Sequence, residues 1–215
     1  EGTDYGKCPL NHDERRLWEF RLTGTPRFAV SDGPVIADVF ANTSFRRRRI
    51  DFEVTVAAPA AARAQLLTVE VFDEAGKRVI ELGKQVAVKP GGNVFTVGRE
   101  WKDPQYWELG HPYLYSCKAT LSGRANRRVP TVDAFSFTFG FREAWRDGRE
   151  LMMNGHKLHL RTHYAFGVNS KASALFMRQI GYNAAMFSHS VGPEGNDNPQ
   201  IAQALDEVGH GAFFS

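Results

Sequence analysis

From about residue 26 to about 142 the chain alternates apolar and polar residues with a period of two. In RIDFEVTV, Ile50, Phe52, Val54 and Val56 share one face, with Asp51, Glu53 and Thr55 on the other. That alternation is the signature of a half-buried strand. LLTVEVFD repeats it through Leu67, Val69 and Val71. YLYSCKATL repeats it through Tyr113, Tyr115, Cys117, Ala119 and Leu121, and DAFSFTFGF through Phe135, Phe137, Phe139 and Phe141. Turn residues separate the runs: Asp32-Gly33-Pro34, Ala75-Gly76, Pro90-Gly91-Gly92 and Ser122-Gly123. The stretch AAPAAARAQ, residues 57–65, is short and holds Pro59, so it is expected to be a loop. About seven short strands with no helix of note predict an antiparallel β-sandwich of the immunoglobulin type over residues 26–143. Residues 1–25 are polar and irregular, apart from the apolar positions of Leu17 to Leu22, and read as a lead-in to the sandwich.

After about residue 144 the period changes. KLHLRTHYA reads as a short strand. KASALFMRQIG places Ala174, Leu175, Met177, Arg178 and Ile180 at helical spacing, with Gly181 as a stop. YNAAMFSHS is a second apolar strand. NPQIAQALDEVG is a second helix, with Pro199 in its first turn and Gly209 closing it. HGAFFS opens a third strand. Strand, helix, strand, helix, strand is the pattern of a parallel sheet. Residues 144–215 are therefore expected to form the N-terminal part of a (β/α)8 barrel, its first three strands and two helices, since a closed barrel takes about 250 residues. The last sandwich strand is expected to pass through EAWRDGREL directly into the first parallel strand. An unpaired edge of that sheet predicts self-association, or cover from the sandwich.

Composition narrows the function classes. A formal net charge of +3 argues against nucleic acid as a partner. The run Arg46-Arg47-Arg48-Arg49 reads as a solvated turn between strands. No apolar run approaches the roughly 20 residues of a membrane span. Cys8 and Cys117 are too few for a disulfide framework. The first residues, EGTDYGKCPL, carry neither an initiator Met nor a signal peptide, and read as the start of a piece of a longer protein. His156, His159 and His163 invite a metal reading. At strand rise, however, His159 and His163 lie about 13 Å apart, too far for one ion. There is no phosphate-cradling glycine motif and no Gly-x-Ser-x-Gly, so no cofactor and no metal are expected.

Four stretches, in order, carry a resemblance. They are YWELGHPYLYSCKATL, FTFGFREAWRDGRELMMNGHKLHLR, FMRQIGYNAAMFSHS and ALDEVGHGAFFS. Over roughly residues 100–215 they resemble glycoside hydrolase family 2, which includes β-galactosidases, β-glucuronidases and β-mannosidases. The resemblance implies a sugar-binding domain upstream, an immunoglobulin-like domain, and a barrel that hydrolyses glycosidic bonds with retention. Two glutamates about 5–5.5 Å apart would do that chemistry. In the family they follow the fourth and seventh barrel strands, so no catalytic residue is assigned to this chain. Glu194, Asp197, Asp206 and Glu207 do not match those positions, and Asp206 and Glu207 read as a solvated helix face.

The resemblance does imply the start of a carbohydrate pocket. Barrel sites lie at the C-terminal ends of the strands. His163, Ser188 and His189 fall there in the sequence and are the candidate substrate-binding residues, together with Asn183, which matches a family Asn. The chain departs from the family at Met186, where the family has Arg, at Thr162, where it has Gly, and in HYAFG, where Asn-Arg-His is not recognisable. Two other readings stand beside the enzyme. One is a non-catalytic carbohydrate- or protein-binding sandwich, with Trp101, Tyr106, Trp107 and Trp145 as a stacking platform. The other is a degenerate, non-catalytic relative of the enzyme.

Overall fold

Alternation becomes sheet where the sequence places it. The computed structural model describes residues 33–123, 131–164, 170–187 and 199–214. The chain divides into two units, Glu1–Ser31 and Asp32–Ser215, and the described residues all belong to the second. The lead-in over residues 1–25, Cys8, Ser188, His189, Glu194 and Asp197 lie outside the described residues.

Seven strands come first: β1 (Val35–Ser44), β2 (Arg49–Ala58), β3 (Ala62–Phe72), β4 (Arg78–Val88), β5 (Gly91–Glu100), β6 (Tyr115–Ser122) and β7 (Thr131–Phe139). They form two antiparallel sheets, ordered β1-β2-β5 and β4-β3-β6-β7. In the constant-type immunoglobulin arrangement the fourth strand joins the sheet of the first two. Here β4 pairs with β3 instead, giving a sandwich of three strands on four. Ile50, Phe52, Val54 and Val56 from one sheet and Leu67, Val69, Val71, Ala119 and Leu121 from the other are fully buried in the core. Cys117 lies among them as a free thiol.

Two local features interrupt the period of two. In β1 the register shifts between Ile36 and Asp38, so the buried positions pass from Ile36 to Val39. A bulge of one residue does this by moving every later side chain to the opposite face. The stretch 57–65 is not the expected loop. Only residues 59–61 leave the sheet; Ala57 and Ala58 finish β2, and β3 begins at Ala62. Pro59 has no N–H for the ladder, which fixes the end of β2, while the alanines are held by cross-strand pairing.

The junction also differs from the direct passage expected. Residues 144–157 form a small antiparallel meander of β8 (Ala144–Asp147), β9 (Glu150–Met153) and β10 (His156–Lys157). Asn154 and Gly155 make its second turn, with φ of +48° and +84°. Positive φ at both central residues is the primed hairpin turn that Asn-Gly favours. KLHLR is therefore not the first parallel strand. That strand begins at Thr162, and His159 lies outside any strand.

The last segment is built as its pattern predicts. β11 (Thr162–Tyr164), β12 (Ala184–Phe187) and β13 (Gly211–Phe214) form one parallel sheet in that order. Helix α1 (Lys171–Gln179) precedes β12 and α2 (Pro199–Val208) precedes β13. Ser170 caps α1 in a reciprocal box with Ser173, satisfying N–H groups that the first turn leaves unpaired. Gly181 and Gly209 follow the two helices at φ of +100° and +64°. Ala174, Ala185, Leu205 and Val208 form the small core between helices and sheet.

Candidate functional site

Parallel strands bring their C-terminal ends to one edge, and loops at that edge carry ligands in sheets of this kind. Here the edge is marked by Tyr164, Phe187 and Phe214. Ser188 and His189 follow β12 directly in the sequence. Tyr164 is 60% exposed at the end of β11. It shares a face with Thr162 and, through the register, with Ala184 and Met186. Tyr164 is not among the candidate residues named from the sequence; its place at the end of the strand is the signal that marks it.

His163 sits on the other face. Its register partners are Ala185 and Ala212, and Ala185 packs against the helices. Both ring nitrogens are engaged within the chain. Nδ1 lies 2.7 Å from the Tyr164 carbonyl, and Nε2 lies 3.0 Å from Nε2 of His210. A carbonyl only accepts, so Nδ1 carries the proton and donates to it. The neutral His163 ring then accepts at Nε2, and His210 donates from its own Nε2. His210 is 1% exposed, and its Nδ1 is buried without a hydrogen-bond partner. Burial pushes the His210 imidazole down to about 4, with help from His163 and Arg178. His210 stands at the start of the HGAFFS stretch, and nothing local there reveals that it meets a residue of another strand.

Asn183 lies at the opposite, N-terminal end of β12. Its amide Nδ2 donates to the His159 carbonyl at 2.7 Å, and its Oδ1 accepts from the Arg161 N–H at 2.7 Å. Its backbone N–H also donates to the Arg161 carbonyl. These bonds align the segment entering β11 beside β12. His163 and Asn183 are thus not brought together at the edge where Ser188 and His189 follow β12.

A third cluster ties the parallel sheet to the sandwich. Trp107 is 1% exposed, and its indole N–H donates to the Asp206 carbonyl at 2.8 Å. The Arg142 guanidinium lies 4.2 Å over the Trp107 ring and pairs with the Asp206 carboxylate at 2.6 Å. Arg178 donates to the Val208 carbonyl and, at 3.2 Å, to that of Gly110. The Gly110 N–H donates to the Gly209 carbonyl. Asn154, buried in the meander turn, donates to the Trp107 carbonyl and accepts from the Glu143 N–H, both at 2.9 Å. Asp206 and Glu207 are therefore not simply a solvated helix face. Asp206 faces the sandwich, and Glu207 pairs with Lys171 of α1 at 3.1 Å.

The aromatic platform does not assemble on the surface. Trp101 packs on Tyr115 and Phe141, and Tyr106 packs on Phe45 and Phe141. Trp145 stacks on Phe45 with the Arg46 guanidinium over its ring. Arg46, Arg47 and Arg48 lie in the turn between β1 and β2, as expected, and Arg49 opens β2. Arg46 is anchored there by Glu143, and Arg49 by Asp51. Among the described residues no group of three His, Cys, Asp or Glu side chains comes close enough to hold a metal.

Comparison with known proteins accords with this architecture. The sequence profile of the Glycosyl hydrolases family 2 matches residues 35–142. A comparison with curated proteins gives no match. Among solved structures, the chain is similar to a glycosyl hydrolase family 2 member from Bacteroides cellulosilyticus, at 15% identity and a TM-score of 0.69 over 85% of this chain and 26% of that one. It is similar to a β-glucuronidase from Bacteroides uniformis, at 22% identity and a TM-score of 0.64 over 85% and 22%. It is also similar to a Bifidobacterium dentium β-glucuronidase complexed with coumarin-3-O-glucuronide, at 16% identity and a TM-score of 0.68 over 100% and 38%. At these identities the likeness concerns the fold, and the chain spans well under half of each solved protein.

Proposed function

The chain belongs to glycosyl hydrolase family 2, and from that premise we propose that it is a part of a glycoside hydrolase. The whole protein hydrolyses O-glycosidic bonds of a carbohydrate with retention of configuration. Its two glutamates lie on barrel strands beyond residue 215, one as general acid and one as nucleophile. Residues 26–143 are the immunoglobulin-like domain. Residues 144–215 open the (β/α)8 barrel with β11, β12 and β13 and the helices α1 and α2.

The single observation that carries this reading is the order of architectures in one chain. A sandwich of three strands on four is followed by a parallel sheet with a helix before its second and third strands. The chain's own carboxylates support placing the catalysis elsewhere. Glu143 is held by Arg46, Asp206 by Arg142 and Glu207 by Lys171. Ser188 and His189, following β12, are the substrate-binding residues, with the sugar hydroxyls as their partners. His163 and Asn183 hold β11 in place, through His210 and through the 159–161 segment. Carbohydrate is the partner, as it is for the Bifidobacterium dentium enzyme in its glucuronide complex.

The test has two parts. The 215-residue chain, incubated with a panel of nitrophenyl glycosides, is expected to give no turnover above blank. Measurable hydrolysis would overturn the placement of both glutamates. Sequencing the coding region downstream is expected to show two glutamates at family spacing, and their absence would end the catalytic reading.

A further inference from the structure

We propose that the pair formed by buried His210 and half-buried His163 is an acid-operated latch. It holds β11 to the α2–β13 turn while both rings are neutral, and it releases that turn when the pair takes up a proton. The geometry sets the logic. Two imidazoles share a single N–H···N bond at 3.0 Å, with ring centroids 5.2 Å apart. The Nδ1 proton of His163 is committed to the Tyr164 carbonyl at 2.7 Å. Only one proton fits between the two Nε2 atoms. A further proton on Nε2 of His163 would set two N–H donors against each other and break the bond. A proton on the buried, unpartnered Nδ1 of His210 would create a cation with no acceptor.

Among the described residues the surroundings offer no compensation. On β11 the neighbour is His163 itself. From the segment before β12, the Tyr182 ring packs edge-on to His163 at 5.2 Å. From α1, the Arg178 guanidinium donates to the carbonyls of Val208 and Gly110 and adds a positive charge beside His210. On α2, the Asp206 and Glu207 carboxylates are engaged by Arg142 and Lys171. The 108–112 turn, which meets the α2–β13 turn at Gly209, carries Glu108 and His111, whose backbones pair with each other. A second positive charge at His210 would thus stand beside Arg178 with both α2 carboxylates already taken.

The direction with pH follows from linkage. The folded chain holds His210 at about 4, below the ordinary histidine value. Stability from the neutral ring is therefore complete above about 6.5, and it is lost as the pH falls from there through about 4. Between pH 7.5 and 5.0 the His210 share amounts to roughly a thirty-fold fall in the folding equilibrium constant. The bond at stake joins β11 to the start of β13, so acid would loosen the parallel sheet and not the sandwich core.

The experiment compares the 215-residue chain with His210→Gln, whose amide N–H can replace the Nε2 donor without titrating. Urea unfolding is followed by circular dichroism at pH 7.5 and 5.0. The unsubstituted chain is expected to lose roughly thirty-fold more of its folding equilibrium constant than the variant on going to pH 5.0. Equal losses in the two proteins would overturn the latch. Nitrogen NMR of the ring atoms in the unsubstituted chain decides the matter should the variant not fold. His210 is expected to remain neutral with its proton on Nε2 at pH 5.5. A His210 that is protonated there, or that carries its proton on Nδ1, would overturn it.

Discussion

Trp107 donates its indole N–H to the backbone carbonyl of Asp206 across 2.8 Å, although 99 residues separate the two. That bond joins the end of the sandwich to the last turn of α2. It is buried beneath the Arg142 guanidinium, which covers the ring and pairs with the same Asp206 through its carboxylate. The main chain of Asp206 is fixed by the indole, and its side chain by the arginine.

Trp107→Phe is expected to destabilise the chain by about 1–3 kcal/mol, because it removes one hydrogen bond and part of a buried ring, although the Asp206 carbonyl keeps the Gly209 N–H as a donor. Asp206→Asn removes only a partly exposed ion pair, with 37% and 32% of the two side chains accessible. It is expected to cost less than about 1 kcal/mol. Urea unfolding followed by circular dichroism ranks the two, and a larger loss for Asp206→Asn would contradict this division of labour.

Gly140 lies directly against the same indole. A Cβ there would stand 2.5 Å from the Trp107 Cβ and 2.6 Å from Cγ. Gly140→Ala is expected to cost about 1–3 kcal/mol through overpacking. At Gly76 a Cβ would meet nothing within 4 Å, and only its φ of +76° opposes substitution. Gly76→Ala is expected to cost about 1 kcal/mol. Thermal unfolding midpoints in that order would check the pair.

Glu143 gives a pH dependence opposite in cause to that of His210. Burial pushes its carboxyl up, but the Arg46 side chain and N–H and the Ser44 hydroxyl outweigh it and hold the carboxyl below its ordinary range. A lowered carboxyl contributes stability above its unfolded value of about 4.3 and loses it as the pH falls through the folded value. Glu143→Gln is expected to be less stable than the unsubstituted chain at pH 7, with the gap closing below pH 4. A gap that persists at pH 3 would show that the loss comes from packing.

Cys117 is 1% exposed, and burial pushes its thiol up to about 12. A thiol without thiolate is a poor nucleophile. In a Cys8→Ser background, Ellman's reagent at pH 8 is expected to find no reactive sulfur in the folded chain and one in denaturant. Fast reaction in the folded state would contradict its place in the core.

The parallel sheet predicts association between copies. Among the described residues, β11 and β13 each pair on one side only. On and beside α1, Leu175, Phe176, Ile180 and Tyr182 are exposed. Free edges and adjoining apolar surface favour pairing with another chain. Sizing chromatography of the 215-residue chain is expected to show a concentration-dependent shift to larger species, lessened by Phe176→Lys together with Ile180→Lys. A monomer at every concentration would overturn this.

What the sequence alone determined is local. A period of two placed Ile50, Phe52, Val54 and Val56 on one buried face, and turn residues separated the strands. Helical spacing with Gly181 and Gly209 as stops marked both helices. Each of these is decided by neighbours within one or two turns of chain, where sterics and amphipathicity act. The tertiary structure decided which elements meet. It placed β4 beside β3, turned Asn154-Gly155 into a hairpin that pairs back on β9, and drew residues 57–65 largely into strands. It also set His163 against His210 and Trp107 against Asp206, pairs 47 and 99 residues apart. A side chain's type gives what it can bond with, but its partner is chosen by packing of whole sheets and helices, to which distant residues contribute at once.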